Sequence, residues 1–373
     1  MLVTVDASAV PPNAGGVGRY VAGLLGALDR REDVSVVVLA GAGDIGRWRE
    51  AAPGSSVRDV APRSVPVRLA WEQAALPRLL RRISPAAHHG THYTFPRRSK
   101  IPNVVTIHDL TFVEHPEWHS RAKALFFADA IKIAARQADA VVCVSSTTAD
   151  KLTSLYTPTG TVVVAPHGVD THRFRPEQDS GGSDAEALRL LDVPVPYVLY
   201  VGTVEPRKDV PTLVRAFDRL SDRHPTLSLV IAGGGWPRAE ATLRDAVSRS
   251  RHPGRVKRLG FVPDGDVPPL LRQAAAVVYP SLEEGFGLPA LEALACGAAT
   301  ITTRGSAMEE FAAGAALMFD PGDDASLADL IHQLVIGDPT LDSRRSAGLS
   351  IAGSYTWDAS AELHMEAYRR AAG

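Results

Sequence analysis

Two glutamates eight positions apart, Glu284 and Glu292, flank the run Gly285-Phe286-Gly287-Leu288-Pro289. A short apolar run, Ala274 to Tyr279, precedes them and reads as a buried strand. Ala290 to Cys296 reads as a helix. The pair therefore brackets a glycine-rich strand-to-helix turn. Free backbone N–H groups at a helix N-terminus suit a phosphate. The carboxylates cannot bind that phosphate, but they accept hydrogen bonds from sugar hydroxyls. A phosphate cradle between hydroxyl acceptors points to a nucleotide-sugar site.

Three other junctions place chemistry-bearing side chains at the end of a strand. Gly202-Thr203-Val204-Glu205-Pro206-Arg207-Lys208 follows one strand and opens a helix. Arg207, through its fork, and Lys208, as a compact charge, suit a diphosphate. The alternative is a helix start with ordinary solvated charges. Asn103 to Ile107 ends in His108 and Asp109, which puts both on the strand's carboxyl side. A satisfied structural histidine is the competing reading. The first strand runs into Gly15-Gly16-Val17-Gly18 just before a helix. These glycines permit positive φ and close ligand approach, or they form a plain flexible loop.

Several patterns are weighed and set aside. His88, His89 and His92 read as a loop without paired ligand spacing, so no metal site is expected. Gly41-Ala-Gly43-Asp-Ile-Gly46 fits a dinucleotide fingerprint. However, it follows the second strand, and Arg47–Ala52 is too short for a convincing crossover helix. Asp264-Gly-Asp266 sits among prolines and reads as a turn and helix cap rather than a metal-holding pair.

Elements must carry these residues, and the chain supplies them in alternation. Short β-branched runs alternate with helical patterns from Leu2 to Phe319. Runs apolar on both faces imply parallel strands covered by helices on both sides. The fold class expected is α/β, with two doubly wound Rossmann-like domains, since 373 residues exceed one typical core. Arg175 to Asp184 is polar and glycine-rich and reads as a linker. Boundaries are thus expected at 1–178, 179–352 and a terminal helix at 353–373. Thr356 is the expected N-cap of that helix, with Trp357, Leu363 and Tyr368 on its apolar stripe. Ligands of open α/β sheets bind beyond the carboxyl strand ends, which makes the cleft between the domains the default site.

Net charge is −2, so bulk charge gives no argument for nucleic acid. Cys143 and Cys296 lie in apolar segments, as expected of buried reduced thiols. The first residues read as a strand and not a signal peptide, and no apolar run is long enough to span a membrane. A cytoplasmic protein is expected. Residues 58 to 100 hold nine basic residues and two acidic ones, and Arg68–Ser84 reads as one amphipathic helix. A solvated face over a core-packing helix is one reading. Peripheral contact with anionic lipid on the inner face of a membrane is the other.

Seven motifs, taken in order, resemble glycosyltransferase family 4, retaining enzymes of the GT-B architecture. They are Gly15–Gly18, Trp71-Glu-Gln with Leu76-Pro77, Ile107-His-Asp-Leu110, Pro166-His-Gly-Val-Asp170, Gly202-Thr-Val-Glu-Pro-Arg-Lys-Asp209, Leu259-Gly-Phe-Val-Pro263, and Glu284 with Glu292. The subset with His-Asp-Leu-Thr-Phe and Glu-Pro-Arg-Lys looks most like GDP-mannose-dependent mannosyltransferases. A UDP-sugar transferase, a nucleotide-sugar epimerase and an inactive nucleotide-sugar binder remain as alternatives. The resemblance implies an acceptor-binding first domain, a donor-binding second domain and a terminal helix crossing back to the first. The acceptor would be a glycan or a lipid-linked one. Gly15 and Gly16 would approach the donor diphosphate, and His108 would lie near the reacting centre. Lys208 and Arg207 would neutralise the diphosphate after Gly202 and Thr203. Gly285, Phe286, Gly287 and Leu288 would form its cradle. Glu284 would hold sugar hydroxyls, Glu292 the ribose, and Val262 the base. No metal or cofactor is implied. Thr203 departs from the arginine common in the family, and Arg304 has no role under this reading.

Overall fold

The computed structural model describes residues 1–10, 15–41, 43–176 and 182–373. The chain forms two units, Met1–Gly168 with Tyr355–Gly373, and Val169–Ser354. The first unit therefore closes ten residues earlier than the linker composition suggests, and the last helix belongs to it.

The first unit carries strands β1 (Leu2–Asp6), β2 (Ser35–Gly41), β3 (Ser56–Ala61), β4 (Ala87–Gly90), β5 (Asn103–Ile107), β6 (Ala140–Cys143) and β7 (Thr161–Val164). Between them run α1 (Gly16–Asp29), α2 (Ile45–Ala51), α3 (Val65–Ala74), α4 (Leu76–Ile83), α5 (Thr111–Glu114), α6 (Arg121–Gln137) and α7 (Ser146–Leu155). The strands pair in parallel in the order β3-β2-β1-β4-β5-β6-β7. The order reverses between β1 and β4.

The second unit holds α8 (Gly182–Leu190), β8 (Tyr197–Val201), α9 (Val210–Leu220), β9 (Ser228–Ala232), α10 (Pro237–Ser248), β10 (Val256–Gly260) and α11 (Val267–Arg272). It continues with β11 (Ala276–Tyr279), α12 (Leu288–Ala295), β12 (Thr300–Thr303), α13 (Ala307–Ala312), β13 (Leu317–Phe319), α14 (Asp324–Ile336) and α15 (Leu341–Ser354). Its parallel order is β10-β9-β8-β11-β12-β13, reversing between β8 and β11. The final helix, α16 (Trp357–Ala372), is part of the first unit.

Both faces of the first sheet are covered, which is why its strands read as continuous apolar runs. Val36 and Val38 of β2 join Tyr20, Leu24 and Leu28 of α1 in one core, together with Ala361, Met365 and Tyr368 of α16. Val37 and Leu39 point the other way and meet Leu76 and Leu80 of α4. A further core packs Val105, Ile107 and Val141 against Ile131 and Ala134 of α6. Thr356 caps α16 as its sequence predicts, accepting from the N–H of Ala359 at 3.1 Å.

Four local expectations are corrected. His88 and His89 are on β4, not in a loop, because their rings are buried and bonded among other strands. The expected helix Arg68–Ser84 is two helices, α3 and α4. They break at Ala75 because Pro77 cannot donate to the preceding turn. Its supposedly solvated Arg68 is buried and paired with Glu72. The seven residues of α2 do bridge β2 and β3, because Trp48 buries itself against the core and anchors one turn on each side. Asp264–Asp266 is a short 3-10 turn without a side-chain cap.

Candidate functional site

The reversal between β8 and β11 explains how two distant motifs meet. Neighbouring strands whose connections leave in opposite directions open a crevice at their carboxyl ends. Residues 202–208 leave β8 there, and residues 280–288 leave β11 beside them. The N–H of Leu282 donates to the carbonyl of Arg207 at 2.7 Å, tying the two loops together. The N–H of Val204 bonds the carbonyl of Gly234 at 2.7 Å, which fixes the first loop from its other side.

Those ties bring Arg207, Lys208 and Glu284 into one buried cluster. The Arg207 guanidinium lies 2.7 Å from one Glu284 oxygen and 2.8 Å from Glu205, and it donates to the Glu283 carbonyl at 3.1 Å. The Lys208 ammonium pairs with the other Glu284 oxygen. Ser281 donates its hydroxyl to that same oxygen at 2.9 Å. Burial pushes the Glu284 carboxyl up, but the charges of Lys208 and Arg207 outweigh it and hold it at about 2. Burial, then the neighbouring Arg207, pulls the Lys208 ammonium down, against the two glutamates. Two cations and two carboxylates face one another, so the group is neutral as a whole. An anion that engages the cations therefore competes with Glu284.

The start of α12 completes this corner. Gly287 caps it with φ 98°, a left-handed conformation that L side chains rarely adopt. A Cβ there would also lie 2.3 Å from Met308 Cγ. Pro289 has no N–H, and the N–H groups of Gly287 and Leu288 have no hydrogen-bond partner among the described residues. They are donors at the positive end of the helix dipole. Gly287→Ala is expected to lower stability by about 2–3 kcal/mol, combining backbone strain with the Met308 clash. Thermal unfolding checks it, and an unchanged midpoint would show that the turn tolerates a side chain.

Other expected donor residues occupy the same unit. Thr203 is exposed, and its carbonyl accepts the Tyr200 hydroxyl at 2.9 Å. Gly202 ends β8, where its N–H donates to Ala232. Glu292 is buried on α12, and Val262 buries its side chain just past β10. Phe286 stacks at 5.2 Å on Phe311 of α13, next to Gly285 in the turn. Arg304, unassigned by sequence, makes an exposed pair with Asp320 at 3.4 Å, an interaction of little net energy. Glu205 and Ser281 escaped sequence reasoning. A glutamate before proline reads as helix-start punctuation, and a serine before an acidic pair carries no pattern of its own.

The first unit holds the remaining expected residues. His108 follows β5, and its Nε2–H donates to the Thr91 carbonyl at 2.8 Å. That bond leaves Nδ1 unprotonated in the neutral ring. Burial lowers the His108 pKa, with Thr91 and Asp109 acting against it. Tyr20 of α1 sets its ring edge-on to His108 at 5.2 Å. The Tyr20 hydroxyl bonds Thr106 at 2.8 Å and His364 of α16 at 2.9 Å. His89 links Thr106 at 2.7 Å to the Tyr368 hydroxyl at 2.9 Å. The threonines and histidines of this network interrupt otherwise apolar strands, which is the signal that marks them. Gly15 and Gly16 are exposed at the start of α1, with Gly15 at φ −72° and no positive φ at Gly16 or Gly18. The expected need for positive φ is therefore not met. Nothing lies within 4 Å of an added Cβ at either, so that edge is open. Pro11 to Ala14 lie outside the described residues.

Among the described residues, no group of three or more His, Cys, Asp or Glu side chains is arranged to hold a metal. No helix is long and apolar enough to cross a membrane. Cys143 and Cys296 are buried, free thiols, each pushed up to about 12 by burial.

Comparison with known proteins agrees with this geometry. Residues 14–173 match the family described as Glycosyltransferase Family 4, and residues 189–348 match Glycosyl transferases group 1. A D-inositol 3-phosphate glycosyltransferase of Acidothermus cellulolyticus is 30% identical over 96% of this chain and 86% of its own. The O-antigen chain mannosyltransferase B of Escherichia coli is 28% identical over 82% of this chain and 77% of its own. Among solved structures, sucrose-phosphate synthase from Thermosynechococcus elongatus superposes with a TM-score of 0.80 at 22% identity. That match covers 99% of this chain and 98% of the other.

Proposed function

Because the chain belongs to glycosyltransferase family 4, with the paired parallel sheets of the GT-B fold, we propose that it moves mannose from GDP-mannose to a glycan or lipid-linked acceptor with retention. The observation that carries the donor site is the Arg207–Lys208–Glu284 cluster beside the free N–H groups of α12. Mannose is favoured by the O-antigen mannosyltransferase among the relatives.

When the bond to the anomeric carbon breaks, negative charge grows on the departing diphosphate. Lys208, Arg207 and the N–H groups of Gly287 and Leu288 are preorganised donors for that charge. As the diphosphate draws the two cations, an oxygen of Glu284 becomes available to sugar hydroxyls. Attack occurs on the face the diphosphate leaves, and a phosphate oxygen takes the acceptor's proton. In the first unit, neutral His108 offers Nδ1 to the sugar. Glu292 holds the ribose and Val262 the base. These positive groups serve in place of a metal ion.

The test combines binding and product analysis. GDP is expected to raise the melting temperature more than UDP, since a ligand of the folded state stabilises it. GDP-mannose with a panel of glycan and lipid acceptors should release GDP and give a product of unchanged anomeric configuration by NMR, with EDTA present. A larger shift with UDP overturns the donor. A new nucleotide sugar formed without acceptor indicates an epimerase, and no release with any acceptor indicates a binder. Loss in EDTA that magnesium restores overturns the metal-free mechanism.

A further inference from the structure

A pocket of about 70 Å³ opens in the first unit between α3 and α6. Leu69, Glu72 and Gln73 line one side, and Phe126, Ala130 and Ile133 the other. Both sets follow helical spacing, so each helix presents one face to the space. The loop after β4 closes the floor. It folds back so tightly that a Cβ on Gly90 would lie 2.1 Å from the Thr94 carbonyl oxygen. Thr94 then donates to Glu72 at 2.7 Å, and Gln73 donates to Glu72 at 2.8 Å and to the Phe95 carbonyl at 2.9 Å. The floor's polar groups thus satisfy one another, and the walls are left apolar.

The mouth differs from an ordinary surface. Four of the ten exposed large apolar side chains among the described residues, Val65, Val67, Leu125 and Phe126, stand in the first turns of these two helices. Val65 lies one turn before Leu69 on the pocket face, and Phe126 is 38% exposed at the rim. Exposed apolar clusters of this kind mark binding surfaces. Basic residues surround it: Arg97, Arg98 and Lys100 on the loop, and Arg121 and Lys123 at the start of α6. Arg97 lines the pocket, with Asp129 3.7 Å away as its acidic neighbour.

We propose that this pocket and its apolar mouth hold the hydrocarbon chain of a phosphorylated lipid acceptor, with the phosphate on the Arg97 side. The inference rests on the transferase reading and decides between its two acceptor classes. Charge complementarity selects an anionic lipid: a neutral glycan needs hydroxyl partners, and those on the floor are already engaged. The chain lies along Val65 and Leu69 on one side and Phe126 on the other. Arg97 and the basic rim then meet a phosphate without burying it.

Farnesyl phosphate, below its aggregation concentration, is the probe, with inorganic phosphate and methyl α-mannoside as controls, measured by calorimetry on the full chain. Farnesyl phosphate is expected to bind, and the controls are not. Phe126→Ser should weaken it by about tenfold, the range of a buried aromatic anchor, and Arg97→Ala should weaken it less. GDP affinity should stay unchanged in both, since the nucleotide residues lie in the other unit. Equal affinity of wild type and both variants would overturn the proposal. So would methyl α-mannoside binding that depends on Phe126, which would make the pocket a sugar subsite. A loss confined to anionic vesicles, with farnesyl phosphate binding intact, would make the patch a membrane contact instead and also overturn it. Absence of GDP binding in wild type would count against the transferase reading and leave the lipid result to stand by itself.

Discussion

Lys208→Ala is expected to reduce turnover by about two to three orders of magnitude, the effect of removing one preorganised donor from a developing oxyanion. The geometry makes the prediction specific. Lys208 is buried, and Glu284 holds its ammonium in place. It therefore does not need to reorganise when charge develops. Arg207 remains in the variant but is already shared with Glu205 and the Glu283 carbonyl. Steady-state kinetics with saturating donor would check it, and activity within about threefold of wild type would remove Lys208 from the mechanism. Substituting Glu284 is a poorer probe. Its loss leaves two buried cations without their shared partner, and breaking a buried pair costs about 3–5 kcal/mol of stability before any effect on the sugar.

Acid is expected to unfold the first unit well before the second. The cause is a set of buried, neutral histidines: His88, His89, His92, His108, His167 and His364, all within the first unit. Burial lowers His88 and His364 to about 4 and His92 to about 3. The unfolded chain titrates near 6.5. A group with a lowered folded value keeps its full contribution above 6.5 and loses it as pH falls towards 4. Between those limits the unfolded state binds more protons, so stability falls with pH. At roughly 1.4 kcal/mol per unit, those three alone remove about 4 kcal/mol by pH 5.5 and about 6 by pH 5. That is comparable with a domain's whole stability. Limited proteolysis at pH 7.5 and pH 5 would show it, with early cuts confined to residues 1–168 and 355–373. The same cleavage pattern at both pH values would mean that the rings are not held neutral.

The sequence was most legible where a pattern was long or buried on both sides. All six strands of the second sheet and Arg121–Gln137 are where their apolar runs predict them. β4 was not legible, because two of its four residues are histidines and only their buried bonds qualify it as a strand. β3 was missed because charged residues alternate along it at an exposed edge. The donor cluster was half legible. Arg207, Lys208 and Glu284 were nominated separately, as phosphate and hydroxyl binders. Their mutual pairing depends on the reversal between β8 and β11, which no local spacing encodes. His108 was visible at a strand end, but its setting among Tyr20, Thr106 and His364 joins residues up to 344 positions apart.

The placement of α16 has a consequence for how the protein is made. Synthesis delivers residues 1–168 first, yet the sheet they form borrows Ala361, Met365 and Tyr368 for its core. Until those residues leave the ribosome, the apolar side of α1 has no cover, and Tyr20 and His89 lack two of their bonds. The earliest-made unit is thus the last that can be finished. A nascent chain stalled before residue 357 would display that unfinished face to chaperones and proteases, which makes the closing helix a mark of completed translation.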